Sequence, residues 1–142
     1  MFAGGDWKTC YRERLGEASR ILEATIHDGN RIFISSGCGE PQHLVKTLLP
    51  LMERHRDLEL VQNLSTGALP EDWTELEGRC RLRTFFVGQR SREGVNMGLA
   101  DYVPIYFSSI PKLFREEGVL SLDVCLLQVS PPDEHGFCSL GI

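Results

Sequence analysis

Short apolar runs alternate along this chain with segments of helical spacing, and that alternation limits the fold more than any other feature. Residues 31–35 (RIFIS), 58–64 (LELVQNL) and 82–87 (LRTFFV) read as strands, and 122–129 (LDVCLLQV) reads as the clearest buried strand of the set. Between them lie helix-like stretches. Over residues 7–27, Tyr11, Leu15, Ala18, Leu22 and Ile26 fall on one helical face, and the Asp28-Gly29-Asn30 turn stops it. Pro41 suits the first position of a helix whose stripe is Leu44, Val45, Leu48, Leu49 and Met52, with Pro50 near its end. Residues 90–99 and 110–117 read as shorter helices, and 100–107 as partly extended. Strands that alternate with helices imply an α/β domain, a mostly parallel sheet with helices on both faces.

Composition narrows the function. The chain has 142 residues, enough for one domain. Its net charge of −5 argues against a general nucleic-acid binder, and no apolar run is long enough to span a membrane. Residues 1–6 lack the basic and apolar regions of a signal peptide. Five cysteines, Cys10, Cys38, Cys80, Cys125 and Cys138, stand at wide, irregular spacings with no CxxC pair. That pattern is no disulfide framework, and a cytoplasmic location is expected. Arginines 79, 81, 83, 90 and 92 form the one cluster that stands out as a candidate phosphate patch, although acids are interspersed among them.

In a parallel sheet, ligands bind beyond the carboxyl ends of the strands. Two loops of unusual composition begin at such ends. In the first, Gly37 and Gly39 flank Cys38, and Glu40, Pro41 and Gln42 lead into a helix. Glycine backbone and a helix amino terminus together suit a phosphate or carboxylate, yet the loop lacks the GxGxxG pattern and the P-loop lysine. A tight structural turn explains it equally well. The second loop holds Ser130, Pro131, Asp133, Glu134, His135 and Gly136. It reads either as half of a pocket wall or as a well-capped turn whose Asp133 and His135 satisfy backbone groups.

Two other chemistries are worth setting beside these. Cys38 and His43 would make a cysteine acyl-transfer site if they met in space. His135 and Cys138 are half of a metal site at best, with no matching half in view, so no metal is expected. His27 and His55 sit near helix ends, where interaction with the helix dipole accounts for them. A non-catalytic small-molecule binding or dimerisation domain is the alternative to any enzyme reading.

Five stretches, in order, resemble the acetyl-CoA hydrolase/transferase family, which includes acetate, succinate and 4-hydroxybutyrate CoA-transferases. They are residues 31–42 (RIFISSGCGEPQ), 85–88 (FFVG), 92–96 (REGVN), 100–104 (ADYVP) and 129–141 (VSPPDEHGFCSLG), the last being the most specific. The resemblance implies a CoA-transferase-like α/β domain and a reaction through a glutamyl-CoA thioester. A glutamate attacks the acyl-CoA carbonyl to give an acyl-glutamyl anhydride, and the released coenzyme A then forms the thioester. Backbone N–H groups stabilise the oxyanion. It further implies that residues 1–142 are the amino-terminal domain, with the nucleophilic glutamate in a second domain absent from the chain. On that view no residue here is catalytic. The two loops supply one wall of a pocket for acyl-CoA and small carboxylic acids, coenzyme A is a substrate rather than a bound cofactor, and the full-length enzyme is a homodimer.

Overall fold

The computed structural model of the chain describes residues 6–67, 69–70, 72–115 and 118–141. Two helices open it, α1 (Trp7–Glu13) and α2 (Ala18–Thr25), followed by β1 (Arg31–Ile34), α3 (Gln42–Met52), β2 (Leu58–Gln62) and β3 (Cys80–Thr84). Then come α4 (Gln89–Asn96), β4 (Ala100–Tyr102), α5 (Ile110–Leu113) and β5 (Val124–Leu126). The five strands form one parallel sheet in the order β4-β3-β2-β1-β5. The α/β architecture expected from the alternation is therefore the one found.

Side-chain alternation divides the sheet into two faces. Ile32, Ile34, Leu58, Leu60, Leu82 and Leu126 point into the main core, where they meet Leu22 and Ile26 of α2 and Val45, Leu48 and Met52 of α3. The opposite face is covered by less. Val61, Phe85, Ile110 and Leu120 make a small second core, edged by Phe33, Phe114 and Leu122. On the same face, toward the amino ends of the strands, stand charged residues. Arg31 and Arg83 both donate to the Glu59 carboxylate, and Arg81 forms a two-point pair with Asp101 at 2.5 and 2.7 Å.

Three sequence expectations are corrected. The single helix over residues 7–27 is broken after Glu13 and restarts at Ala18. Its supposed common face does not exist, because Leu22 and Ile26 are buried while Tyr11 and Leu15 are exposed. Each half packs on different ground: α2 meets α3, whereas Trp7, Cys10 and Tyr11 of α1 line a cavity shared with Pro132, Gly136 and Cys138. The stretch 122–129 is not the most buried strand. Only Val124–Leu126 pairs, at the sheet edge beside β1, and Cys125, Leu127 and Val129 are exposed. An apolar run reads as central when sequence alone is available, but β5 has a strand partner on one side only, β1. The helix over 110–117 is shorter too, ending at Leu113, while residues 116 and 117 lie outside the described residues. Residues 1–5 and 142 also lie outside them. Among the described residues no helix is long and apolar enough to cross a membrane.

Candidate functional site

The chain builds outward from β1 through β2 and β3 to β4, and β5 then adds on the other side of β1. The strand order reverses between β1 and β5, which is where a parallel sheet leaves a crevice beyond its carboxyl ends. A cavity of about 500 Å³ lies there, lined by Gly37, Cys38, Glu40, Gln42, Thr66 and Gln128. Four of the six come from the first loop read in the sequence.

The loop leaves β1 through Ser35 and Ser36 and makes one tight turn over Gly37–Gly39. Gly37 has φ of +59°, which side chains disfavour, so glycine is required by conformation. Gly39 is buried, and a Cβ there would approach Ser35 Oγ to 3.1 Å. Pro41 is the residue before α3, one position earlier than expected, and the amino terminus of α3 opens beside the cavity. The loop is fastened to the chain after β2. Ser36 Oγ accepts from the N–H groups of Asn63 (3.0 Å) and Leu64 (3.2 Å), and Gly37 N–H donates to Leu64 O.

Glu40 has only 2% of its surface exposed, and three hydrogen bonds within the chain hold its carboxylate. Its Oε1 accepts from Ser65 Oγ at 2.5 Å, and its Oε2 accepts from Thr66 N–H at 2.9 Å and Thr66 Oγ1 at 2.7 Å. A carboxylate so held is a brace between the first loop and the turn after β2. It lacks the exposed lone pair that a nucleophile needs. Ser65 and Thr66 were not singled out in the sequence. The available signal was their place, just past the carboxyl end of a strand in a parallel sheet.

Cys38 is exposed at the cavity, and His43 is exposed on α3. No hydrogen bond joins them among the described contacts, so the geometry of a thiol–imidazole pair is missing. Cys80 is the contrasting thiol, pushed up to about 12 chiefly by burial.

The second loop starts at the correct strand end but does not share the cavity. Gln128, just before it, is its nearest contribution there, and the Leu140 carbonyl comes within 4.0 Å of where a Cβ on Gly39 would stand. Ser130, Pro131, Asp133, Glu134 and His135 are exposed. The loop closes on itself. Asp133 Oδ1 accepts from the N–H groups of His135 and Phe137, both at 2.9 Å, and Ser130 bonds Ser139 through backbone and side chain. That is the capped-turn arrangement for Asp133. The His135 ring instead lies 3.4 Å from Glu134. Gly136, with φ of +86°, rests on the Trp7 ring and lines the separate cavity against α1 together with Cys138. Among the described residues no group of three His, Cys, Asp or Glu could hold a metal ion.

The arginine cluster is also accounted for. Arg81 and Arg83 are committed to Asp101 and Glu59, and the cavity of about 380 Å³ that they line with Arg79 also holds Asp57 and Glu77. It lies at the amino ends of β2 and β3, away from the sheet crevice. Of the two helix-end histidines, His55 bonds Asp28 through Nδ1 at 3.0 Å, and the imidazole holds the Asp28 carboxyl below the usual carboxylate range.

Residues 5–142 match the family described as the acetyl-CoA hydrolase/transferase N-terminal domain. The chain is 34% identical, over 96% of its length, to the 4-hydroxybutyrate coenzyme A transferase of Clostridium kluyveri, and covers 32% of that protein. It is 39% identical, over 82% of its length, to the succinyl-CoA:acetate/propanoyl-CoA:succinate CoA transferase of Fasciola hepatica, of which it covers 24%. In structure it resembles RipA from Yersinia pestis, with a TM-score of 0.81 and 25% identity over 97% of this chain and 34% of that one. The chain thus spans about a third or less of the length of these relatives. It belongs to the acetyl-CoA hydrolase/transferase family, matching the amino-terminal domain.

Proposed function

We propose that the chain is the first domain of an enzyme that moves coenzyme A between short-chain carboxylic acids or hydrolyses acyl-CoA. The reaction runs through a glutamyl-CoA thioester on a glutamate outside these 142 residues. This domain contributes one wall of the acyl and carboxylate pocket, formed by Gly37, Cys38, Gln42, Thr66 and the adjoining end of β5. Acyl-CoA and small carboxylic acids are its ligands, coenzyme A is a substrate, and the whole enzyme is a homodimer. The second loop (Ser130, Pro131, Asp133, Glu134, His135, Gly136) stiffens the exit from β5 and carries the chain back past Gly39.

The observation that supports this reading best is the state of Glu40. The one carboxylate at the cavity is buried and held by three hydrogen bonds from Ser65 and Thr66, so the cavity offers backbone and hydroxyl groups around an acyl group but no carboxylate free to attack it. The test is intact-mass analysis of the chain after incubation with acetyl-CoA, followed by peptide mapping. No carboxylate adduct is expected from the chain by itself, and a coenzyme A thioester is expected on a glutamate of the longer polypeptide. A thioester mapped to Glu40 would overturn the assignment, and acetylation confined to Cys38 would transfer it to thiol chemistry.

A further inference from the structure

Beside the small second core the chain presents an exposed apolar patch. Tyr106 has 86% of its surface exposed and Phe107 67%, and Phe86 and Leu64 next to them keep 39% and 40%. They form one surface: the rings of Phe86 and Phe107 stand 6.1 Å apart, and Leu64 rests against Gly88, two residues past Phe86. Phe107 is also the rim of an open cavity of about 340 Å³, walled by Phe33, Ile110, Pro111 and Phe114, with Asn63 as its one polar residue among those described. Edge-on contacts of Phe114 with Phe33 (5.7 Å) and Phe85 (6.2 Å) hold the walls in place.

A single exposed ring is ordinary, but this set has the area of an interface. At about 200 Å² for a whole aromatic side chain, the three exposed rings present roughly 400 Å², to which Leu64 and Pro111 add. A standard interface removes roughly 800 Å² from each partner, a little over half of it apolar, or about 450 Å². Charge does not oppose the contact, since among the described residues none that lines the cavity is charged. The shape names the partner. One patch carries a protruding ring, Tyr106, and beside it a hollow walled by rings. A knob and a hole side by side match a second copy of the same surface turned about a two-fold axis, where each knob meets the other copy's hole.

We infer that this patch is the interface of a two-fold dimer of the chain, in which the Tyr106 ring of each copy covers the cavity beside Phe107 of the other and its hydroxyl stays at the wet rim. The inference gives the homodimer of the proposed enzyme an interface, and it rests on that homodimer and not on the transfer chemistry. The interface borders the candidate site, because Leu64, inside the patch, accepts through its carbonyl from Gly37 N–H.

The test is sedimentation velocity of the 142-residue chain over a dilution series. A dimer is expected at about 100 µM, the weak end of the range for an interface of this size. Tyr106→Ala, at a position that the fold leaves exposed, should weaken the dimer about thirtyfold or more, and so should Pro111→Trp, which blocks the cavity mouth from its exposed edge. Circular dichroism should show both variants folded. Mixed, they should form a heterodimer tighter than either variant's own dimer, because Tyr106 of the blocked copy still meets the open cavity of the other and one of the two contacts is restored. A monomer at the top of the series, a dimer indifferent to Tyr106→Ala, or a mixture no tighter than its components would each overturn the inference. So would a longer polypeptide that is monomeric and shields Tyr106, since the rest of that polypeptide would then be what covers the patch. A dimer indifferent to both variants would sink this interface and leave the homodimer reading. No arm contains a thioester, so a missing glutamyl-CoA adduct would count against the transfer reaction alone.

Discussion

Replacing Glu40 with alanine tests whether this carboxylate is a brace. Three hydrogen bonds converge on it, from Ser65 Oγ, Thr66 Oγ1 and Thr66 N–H. Bonds to an ionised acceptor contribute about 1.5–3 kcal/mol each, but these three share two donors' residues and do not add. Truncation leaves the buried Ser65 hydroxyl without an acceptor, at a cost of about 1–3 kcal/mol, while water can reach the half-exposed Thr66. Relief from burying a charge offsets part of the loss. The net expectation is about 3 kcal/mol of lost stability. With a urea slope of about 1.5 kcal/mol per molar for a domain this size, the unfolding midpoint should fall by roughly 2 M with the slope unchanged. Glu40→Gln retains the shape and one carbonyl acceptor, and should lose only about 1 kcal/mol. The reasoning is refuted if Glu40→Ala unfolds within about 0.5 kcal/mol of the parent, the range of an ordinary surface change. It is refuted equally if Glu40→Gln keeps full stability and the longer enzyme carrying it loses its glutamyl-CoA adduct.

Gly136→Ala should cost about 1–2 kcal/mol, because φ is +86° and the new Cβ would stand 3.0 Å from the Trp7 ring; thermal unfolding reads the loss, and quenched shielding of Trp7 fluorescence shows whether the loop has lifted from α1. The acid limb of stability should depend on Asp101, whose pKa is lowered first by its hydrogen bonds with Arg81 and then by that guanidinium's charge. A carboxylate depressed in the folded state stabilises fully above its unfolded value of roughly 3.9, and the benefit is lost as pH falls through the folded value. Urea midpoints measured from pH 6 downward should therefore drop below about pH 4, and Asp101→Asn should show a shallower drop with a lower plateau at neutral pH. Added salt should narrow the difference, since the pair is partly exposed.

The sheet was legible because the alternation of strand and helix patterns in a parallel α/β domain comes from two periodicities that solvent exposure imposes separately. Residues 31–34 and 58–62 sit inside the expected strands, and the helix after Pro41 ends two residues past Pro50, which lies in its last turn as expected. What misled was burial. Residues 122–129 are as apolar as an inner strand, yet β5 is an edge, and Leu127 and Val129 keep nearly half of their surface exposed. Periodicity reports that a residue is apolar and leaves open what lies opposite. The same gap explains α1, where Tyr11 and Leu15 keep helical spacing but do not share the core that Leu22 reaches.

At the site, composition found the first loop since glycine, proline and a strand end act locally. It could not tell that Glu40 would be spent on Ser65 and Thr66, twenty-five and twenty-six residues away, because that pairing exists only once β1 and β2 lie side by side. The second loop carries a different lesson. Asp133 and Ser130 bond its own backbone, an arrangement that a composition rich in hydrogen-bonding groups announces without naming the partners. What composition leaves open is whether polar side chains have partners in the chain. Among the described residues, the buried polar atoms without partners belong to neither loop but to Gln62 and Asn63, at the end of β2, which no motif marks.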